Sequence, residues 1–187
     1  MAYIGAGVEY ALHCLLWMTG PVPESPSARD LADLQGVSPS FVAKIFTRLE
    51  KAGIVAASDG IRGGYRLARP LQNVTVLDVV DAVEGHKPLF DCQEIRGRCA
   101  LYEGKPPDWA TRGVCGIHAI MLRAEQVLRD ELQRTTLAEL AEGFQMKRLP
   151  REYAGQISEW FAGRQTTREE NRVAALRGRS GRSGTED

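Results

Sequence analysis

Residues 37–53 read VSPSFVAKIFTRLEKAG, and this stretch decides the fold. Ser38 is a favoured N-cap, and Pro39 suits the first position of a helix because its missing N–H needs no partner there. Apolar residues then recur at helical spacing, namely Val42, Ile45, Phe46 and Leu49. The stretch therefore predicts one amphipathic helix that ends near Ala52, before Gly53.

The residues on either side of this helix extend the pattern. Ser27 can cap a short helix over residues 28–34, so that two helices meet across a short glycine-containing turn. Residues 54–57 and 65–67 predict two short strands around a glycine-rich turn, and residues 7–19 predict a helix ahead of them all. Three helices followed by a β-hairpin predict a winged helix-turn-helix in a mainly α chain with a small β-hairpin wing.

The C-terminal half has a different organisation. Thr75 can cap a helix over residues 76–84, a long amphipathic helix follows at 116–132, and another helix is predicted over 150–163. The polar composition from residue 165 onward cannot bury a core and predicts disorder. The chain thus divides into a winged helix-turn-helix domain at 1–85, a cysteine-bearing loop at 86–115, a long helix with further C-terminal helices at 116–164, and a disordered tail at 165–187.

Composition excludes several classes of protein. The 187 residues carry 24 basic and 24 acidic side chains, so net charge alone does not identify a nucleic-acid binder. The chain lacks both a run of 18 apolar residues and a basic N-terminal signal, which favours a soluble cytoplasmic protein without a membrane partner. It also lacks a phosphate-binding loop, a nucleophile elbow and a catalytic triad, so we expect neither an enzyme nor a small-molecule substrate.

Basic residues are concentrated where DNA would be read. Residues 29–73 carry seven basic and four acidic side chains. The second helix of a helix-turn-helix enters the major groove, and an arginine on a wing can enter the minor groove. The candidate DNA-binding residues are Ser38, Ser40, Phe41, Lys44, Arg48, Arg62 and Tyr65. Of these, Lys44 and Arg48 are expected to contact phosphates, and Arg62 lies at the predicted wing tip.

Three of the four cysteines are clustered. Cys92, Cys99 and Cys115, followed by His118, form the pattern C-x6-C-x15-C-x2-H in an irregular region. Thiolates bind iron–sulfur clusters, zinc and copper(I), and cytosolic chains rarely keep structural disulfides. The spacing is not that of a zinc ribbon. An iron–sulfur cluster is therefore favoured, and a zinc site and a metal-free thiol switch remain open.

The first predicted helix adds two further donors. Glu9 and His13 stand four residues apart and share one helix face. That spacing suits a pair of metal ligands, but by itself it favours an exposed carboxylate and imidazole that stabilise each other. Cys14 falls inside an apolar stretch and is expected to be a buried, inert thiol.

With these motifs in place, the chain resembles the IscR/NsrR family of bacterial iron–sulfur transcription regulators. The resemblance covers about residues 1–140. It is carried by GVEYAL at 7–12, VSPSFVAKIFTRL at 37–49, GGYRLARP at 63–70 and the three cysteines ahead of a long helix. It implies a homodimer in which helix 116–132 crosses its twin. Each subunit would then present one recognition helix to half of a near-palindromic double-stranded DNA operator, as a repressor.

The resemblance also implies a cluster in loop 86–115, close to the first helix of the partner subunit. It favours a 2Fe–2S cluster held by Cys99 and Cys115 of one subunit with Glu9 and His13 of the other. The redox or nitrosylation state of the cluster would set the angle between the two winged helices and thereby control DNA binding.

A second ligand set remains open. It consists of Cys92, Cys99 and Cys115 with one of Glu9, His13 or His118, and it would also admit a 4Fe–4S cluster. The sequence departs from the best-known members by the long spacer between Cys99 and Cys115, by Asp59 in place of a basic wing residue, and by Ala43 in place of a longer side chain. The operator sequence that the best-known members prefer is therefore not expected to apply to this chain.

Overall fold

The computed structural model describes residues 3–58, 63–146 and 150–180. Its N-terminal half follows the predicted order: α1 (Ala6–Trp17), α2 (Ala28–Leu34), α3 (Pro39–Lys51), β1 (Val55–Ala57) and β2 (Tyr65–Leu67). The two strands form an antiparallel hairpin. The predicted fold class, mainly α with a β-hairpin wing, is confirmed.

The two helices of the helix-turn-helix begin with different caps. The hydroxyl of Ser27 accepts the N–H of Asp30 at 3.0 Å and so caps α2 as predicted. Ser38 occupies the N-cap position of α3, but its side chain makes no capping hydrogen bond. Its hydroxyl lies 3.0 Å from that of Ser40 instead. Both hydroxyls therefore stay on the surface at the start of α3.

The core forms where α1, α2 and α3 pack against the next helix, α4 (Val76–Glu84). The predicted stripe of α3 is fully buried, with Val42, Ile45, Phe46 and Leu49 at most 3% exposed. Each such side chain contributes roughly 1.5–3 kcal/mol on burial. This packing fixes which face of α3 is left for a ligand.

The wing is held against the segment that precedes α2. The N–H of Tyr65 donates to the carbonyl oxygen of Pro26 at 3.0 Å. Beside it, a Cβ on Gly64 would lie only 2.3 Å from the carbonyl oxygen of Ser25, so a glycine is required at this close approach. The predicted wing tip at 59–62 lies outside the described residues.

The C-terminal half continues with α5 (Asp108–Thr111), α6 (Gly116–Arg134), α7 (Leu137–Met146) and α8 (Arg151–Ser180). α4 begins with the capping box between Thr75 and Asp78. Arg129 on α6 bonds both carboxylate oxygens of Asp81 on α4 at 3.0 and 2.8 Å, which holds α6 against α4. Within the described ranges, no helix is long and apolar enough to cross a membrane.

The predicted disorder of the tail is wrong for residues 165–180. α8 does not end near residue 163 but continues through Ser180, and residues 181–187 lie outside the described part of the chain. Ile157 and Phe161 of α8 are 3% and 1% exposed, because they enter the same core as α1 and α3. This packing anchors the first half of the helix.

Ion pairs with α2 hold the middle of α8 in place. Asp30 is only 1% exposed, and its carboxylate accepts from Arg164 Nε at 2.7 Å and from Arg168. Arg164 also bonds Asp33, and Arg168 donates to the hydroxyl of Ser27 at 2.7 Å. The composition of residues 165–180 predicts disorder because few of these residues are apolar. It gives no information on ion-pair partners that lie about 130 positions away in the chain.

Candidate DNA-binding surface and cysteine loop

The outer face of α3 carries four of the predicted DNA-binding residues. Ser38, Ser40 and Lys44 are exposed, and Phe41 is 42% exposed, all within the first two turns. Hydroxyls can bond base edges or phosphates, and an ammonium suits a phosphate. The four side chains therefore present a polar surface with one aromatic ring at the end of α3 that enters the groove in this fold.

Phe41 also contacts α1. Its ring meets that of Tyr10 edge-on, with centroids 5.8 Å apart. A Cβ on Gly7 would lie 3.6 Å from the Phe41 ring and 3.2 Å from Val83, so α1 passes very close to the start of α3. Phe41 is thus both a surface residue and the point where α1 touches α3.

Two other predicted DNA contacts make bonds inside the domain. Arg48 donates to the carbonyl oxygen of Val83 at the end of α4, which joins α3 to α4. Tyr65 is half-buried, and its ring packs against that of Phe46 at a tilt of 50°, with 4.7 Å between centroids. Burial, and then the charge of Glu50, raise the pKa of Tyr65. Both side chains hold the domain together. Arg62 lies outside the described residues.

Cys115 occupies the N-cap position of α6 and is half-buried. Its pKa is lowered from the ordinary value, first because the backbone N–H groups of His118 and Ile117 donate to its sulfur and then because Arg96 is near. Exposed N–H groups and the helix dipole favour a negative charge at a helix N-terminus. The site therefore favours a thiolate, which is the form that binds a metal.

Arg96 organises the surrounding loop. Its guanidinium bonds both carboxylate oxygens of Glu94 at 2.6 and 2.7 Å and the carbonyl oxygen of Gly113 at 2.9 Å. It also interacts electrostatically with both Cys115 and Cys92. The structure thus places Cys92 and Cys115 around one cation. Cys99 is exposed between two short 3-10 turns, at residues 95–98 and 100–102.

The remaining thiol and imidazole have distinct surroundings. Cys14 is fully buried, and burial raises its pKa to about 11 although Gln35 donates to its sulfur at 3.0 Å. This agrees with the expected inert thiol. His118 is half-buried in the first turn of α6, with its ring 6.2 Å from that of Phe90. It lies on the same helical turn as Cys115.

Glu9 and His13 are both exposed on one face of α1. They line an open cavity of about 640 Å³ whose other walls are apolar side chains of α1, α4, α6 and α7, including Leu12, Val80 and Leu132. Among the described residues of one chain, no group of three or more potential metal ligands converges. A single subunit therefore presents the α1 pair and the cysteines at separate places.

Sequence reasoning missed two features. Arg96 could have been found from the sequence, because it lies four residues after Cys92 and three residues before Cys99. A cation at that position can stabilise both thiolates. The pairing of Asp30 with Arg164 and Arg168 could not have been found from the sequence, because the residues next to Asp30 and next to the two arginines do not identify the partner.

Comparisons with known proteins identify the family of the chain. A family model named Rrf2 and described as an iron-dependent transcriptional regulator matches residues 4–143. The HTH-type transcriptional regulator Rv1287 of Mycobacterium tuberculosis (strain H37Rv) is 31% identical over 166 residues, which cover 88% of this chain and 94% of that protein. The HTH-type transcriptional regulator IscR of Vibrio campbellii is 31% identical over 137 residues, or 73% of this chain and 71% of that protein.

A solved structure resembles the fold. The structure of CymR, the global cysteine regulator of Bacillus subtilis, superposes with a TM-score of 0.57 at 21% identity and covers 76% of this chain and 98% of that chain. At this identity the likeness concerns the fold alone. It ends, like the family match, short of the full length of this chain.

Proposed function

Because the chain belongs to the Rrf2 family of transcriptional regulators, we propose that it senses redox or nitrosative state through an iron–sulfur cluster shared by two subunits. One observation carries the proposal. A thiol with a lowered pKa at Cys115 is combined in one chain with an exposed carboxylate and imidazole, Glu9 and His13. A chain that presents both kinds of donor at separate places can complete a four-ligand site by pairing with a second copy.

The exposed face of α6 supports such pairing. Its apolar stripe finds no cover within the described part of the chain, since Ile117, Ile120 and Val127 are 60%, 56% and 69% exposed. A twin helix would bury this stripe in a two-fold interface. Leu132 of α6 also borders the cavity that Glu9 lines. A second subunit on α6 would therefore lie next to the α1 pair.

The ligand set that we propose is Cys99 and Cys115 of one subunit with Glu9 and His13 of the partner subunit. Cys92 is the competing thiolate, and the geometry favours it in one respect, because Arg96 interacts with both Cys92 and Cys115. Thiolates with a nitrogen donor are an accepted ligand set for a 2Fe–2S cluster, and the imidazole raises its potential. With Cys92, Cys99 and Cys115 and one further donor among Glu9, His13 and His118, a 4Fe–4S cluster is the alternative.

The bound cluster would supply a one-electron change. The chain's own residues do the rest: the N–H groups at the start of α6 and the Arg96 guanidinium hold the thiolate of Cys115, and α1 holds the carboxylate and imidazole. α1 then contacts the recognition helix directly, through Tyr10 against Phe41. A shift of α1 would therefore move the first turn of α3. Switching from nearly all bound to nearly all free requires about 5.5 kcal/mol of difference in DNA affinity.

Protein purified without oxygen tests this proposal. We expect visible absorption that bleaches reversibly with dithionite and an EPR signal in the reduced state. His13→Ala should alter both spectra, whereas His86→Ala, a histidine beyond α4 outside the proposed ligand set, should not. Cys99→Ser and Cys92→Ser, compared side by side, identify the second thiolate. Colourless protein that cannot be reconstituted with iron and sulfide would contradict the cluster.

A metal-free thiol switch is the second candidate, and the surroundings of Cys115 favour it. A thiolate near Arg96, with Cys92 beside the same cation, is the arrangement that attacks a disulfide or an oxidant. This candidate predicts colourless protein that forms reversible crosslinks on oxidation. Cys115→Ser would abolish the crosslinks, and their persistence in that variant would exclude Cys115 as the switch.

A further inference from the structure

The cysteine loop, residues 86–115, is folded against itself. Arg96, near its middle, bonds the carbonyl oxygen of Gly113 at 2.9 Å, close to its end. The rings of Tyr102 and Trp109 meet edge-on, with centroids 6.0 Å apart. These contacts join parts of the loop that are up to 17 positions apart in the chain, so the loop presents a defined surface.

That surface carries large apolar side chains. Trp109 is 69% exposed although it contacts Tyr102, and Ile95, Leu101 and Val114 are 68%, 87% and 64% exposed. A tryptophan buries roughly 150–250 Å² when it is covered, and it is among the residues that most often anchor protein interfaces. A group of exposed apolar side chains on an ordered loop indicates a surface that another molecule covers.

The same chain carries an open apolar cavity. It has a volume of about 640 Å³ and lies beside Glu9 and His13, and of the described residues that line it, none belongs to the cysteine loop. Pockets of roughly 300–1,000 Å³ hold drug-sized molecules, so this cavity can accommodate an indole together with an aliphatic neighbour. The loop and the cavity are thus a protruding and a receiving surface on one chain.

The pairing of two α6 helices brings these surfaces together. When the two helices pair antiparallel around a two-fold axis, the centre of the contact lies midway along the exposed stripe, between Ile117 and Val127. Leu132 of one subunit then lies opposite the residues just before Cys115 of the other. Because Leu132 borders the cavity, the cysteine loop of each subunit would lie over the cavity of its partner.

The size of a stable interface also requires more than α6. A standard interface buries about 800 Å² on each partner and involves about 20–30 residues a side. One apolar stripe of a 19-residue helix supplies only a few of these. The loop adjoins α6 at its first residue, and the cavity adjoins it near its last turn, so both extend the contact from the two ends of the helix.

We propose that the cysteine loop docks on a second copy of this chain, with the indole of Trp109 inserted into the apolar cavity beside Glu9 and His13 of the partner subunit. Because Trp109 lies between Cys99 and Cys115 in the chain, its docking brings both cysteines toward the partner's α1. The inference rests on the dimer of the proposed function and requires no bound cluster.

Sedimentation equilibrium of the full-length protein tests the contribution of the indole. Trp109→Ala should raise the Kd of the dimer by on the order of tenfold or more. Leu12→Trp, which fills the receiving cavity without changing the loop, should raise it as well. Tyr153→Ala removes a 45% exposed aromatic ring from α8, outside the loop and the cavity, and should leave the Kd unchanged. Circular dichroism verifies that each variant is folded.

A photo-cross-link tests where the side chain docks. Trp109→p-benzoylphenylalanine is irradiated in dimers mixed from chains labelled with light and heavy nitrogen, and the linked peptides are identified by mass spectrometry. We expect links from the loop of one chain to α1, α4 or the end of α6 of the other. Links confined to one chain would overturn the proposal, and so would a small molecule that copurifies with the dimer and is released by Leu12→Trp.

The outcomes separate this docking from the proposed function. A dimer whose Kd is unchanged in Trp109→Ala, or changed equally in Tyr153→Ala, would overturn the docking and leave the shared cluster site open to its own spectroscopic test. Wild-type protein that stays monomeric at all concentrations would overturn both, because the donors of two subunits would then never meet.

Discussion

At the scale of single residues, Cys14 and Cys115 show how surroundings decide the chemistry of a thiol. Cys14 is buried among apolar side chains, and burial raises its pKa to about 11. Cys115 receives backbone N–H groups at the start of α6, and these, followed by Arg96, lower its pKa. Only the thiolate reacts with alkylating agents, so the lowered pKa favours reaction at Cys115 and the raised pKa disfavours it at Cys14.

We therefore expect cluster-free, reduced protein to be alkylated at Cys115 with a rate that rises through a midpoint below the ordinary thiol pKa. Cys14 should stay unlabelled across the same pH range. Mass spectrometry of peptides after timed labelling measures both. Arg96→Gln should move the midpoint for Cys115 upward. A midpoint for Cys115 that lies at or above the ordinary thiol pKa, and that Arg96→Gln leaves unchanged, would contradict the stated cause.

Asp30 is the other residue whose surroundings make a quantitative prediction. Asp30→Ala leaves Arg164 and Arg168 without their buried partner, which costs several kcal/mol for a fully buried pair. Because the two arginine side chains are 33% and 36% exposed, we expect a loss of about 2 kcal/mol in the free energy of unfolding. Urea denaturation measures it.

The control is Glu131→Ala, which breaks an exposed pair with Arg134 at 3.2 Å. We expect that change to cost less than about 0.5 kcal/mol, since exposed pairs contribute little. Equal losses in the two variants would mean that α8 is not held by Asp30.

At the scale of elements, the wing depends on one glycine. A Cβ at position 64 would lie 2.3 Å from the carbonyl oxygen of Ser25 and 2.6 Å from that of Pro26, and both are backbone atoms that cannot turn aside. Gly64→Ala should therefore displace the wing, lower thermal stability and weaken DNA binding. Differential scanning calorimetry and fluorescence anisotropy measure the two effects.

Gly155→Ala is the matched change, because Gly155 lies within α8 and a Cβ there meets open space. Alanine is the better helix former, so this variant should gain about 0.5–1 kcal/mol. A Gly64→Ala protein as stable as wild type would show that the wing does not need its contact with the segment before α2.

The elements that the sequence predicts correctly are those with local signals. Ser27, Thr75 and the apolar stripe of α3 specify helices from residues within a few positions of one another, and the wing follows from its glycines. α8 escapes prediction because its stability comes from the core and from Asp30, which are distant in the chain. Tyr65 shows a smaller limit of the sequence. Its position in the wing is predictable, but its contact with the ring of Phe46 can be seen only in the folded chain.

At the scale of the whole molecule, the candidate metal site is divided between two places. Sequence patterns predict the donors Glu9, His13 and Cys115, yet in the proposed dimer the distances that select among the ligand sets would be set by the contact between two subunits. The described part of a single chain brings no three such donors together. The predicted dimer is therefore a condition for the proposed site, and the exposed stripe of α6 is where it can be tested.

We expect Val127→Glu to convert a dimer into a monomer, because Val127 is 69% exposed in one chain and a carboxylate there would be buried without a partner between two α6 helices. Sedimentation equilibrium measures the mass, and anisotropy measures the loss of DNA affinity when half-sites are no longer linked. Gln126→Glu, an adjacent and exposed position on α6, adds the same charge off the stripe and should leave both unchanged. If Val127→Glu remains dimeric and still assembles the cluster, the subunits do not meet through α6. That result would contradict the partner's Glu9 and His13 as ligands.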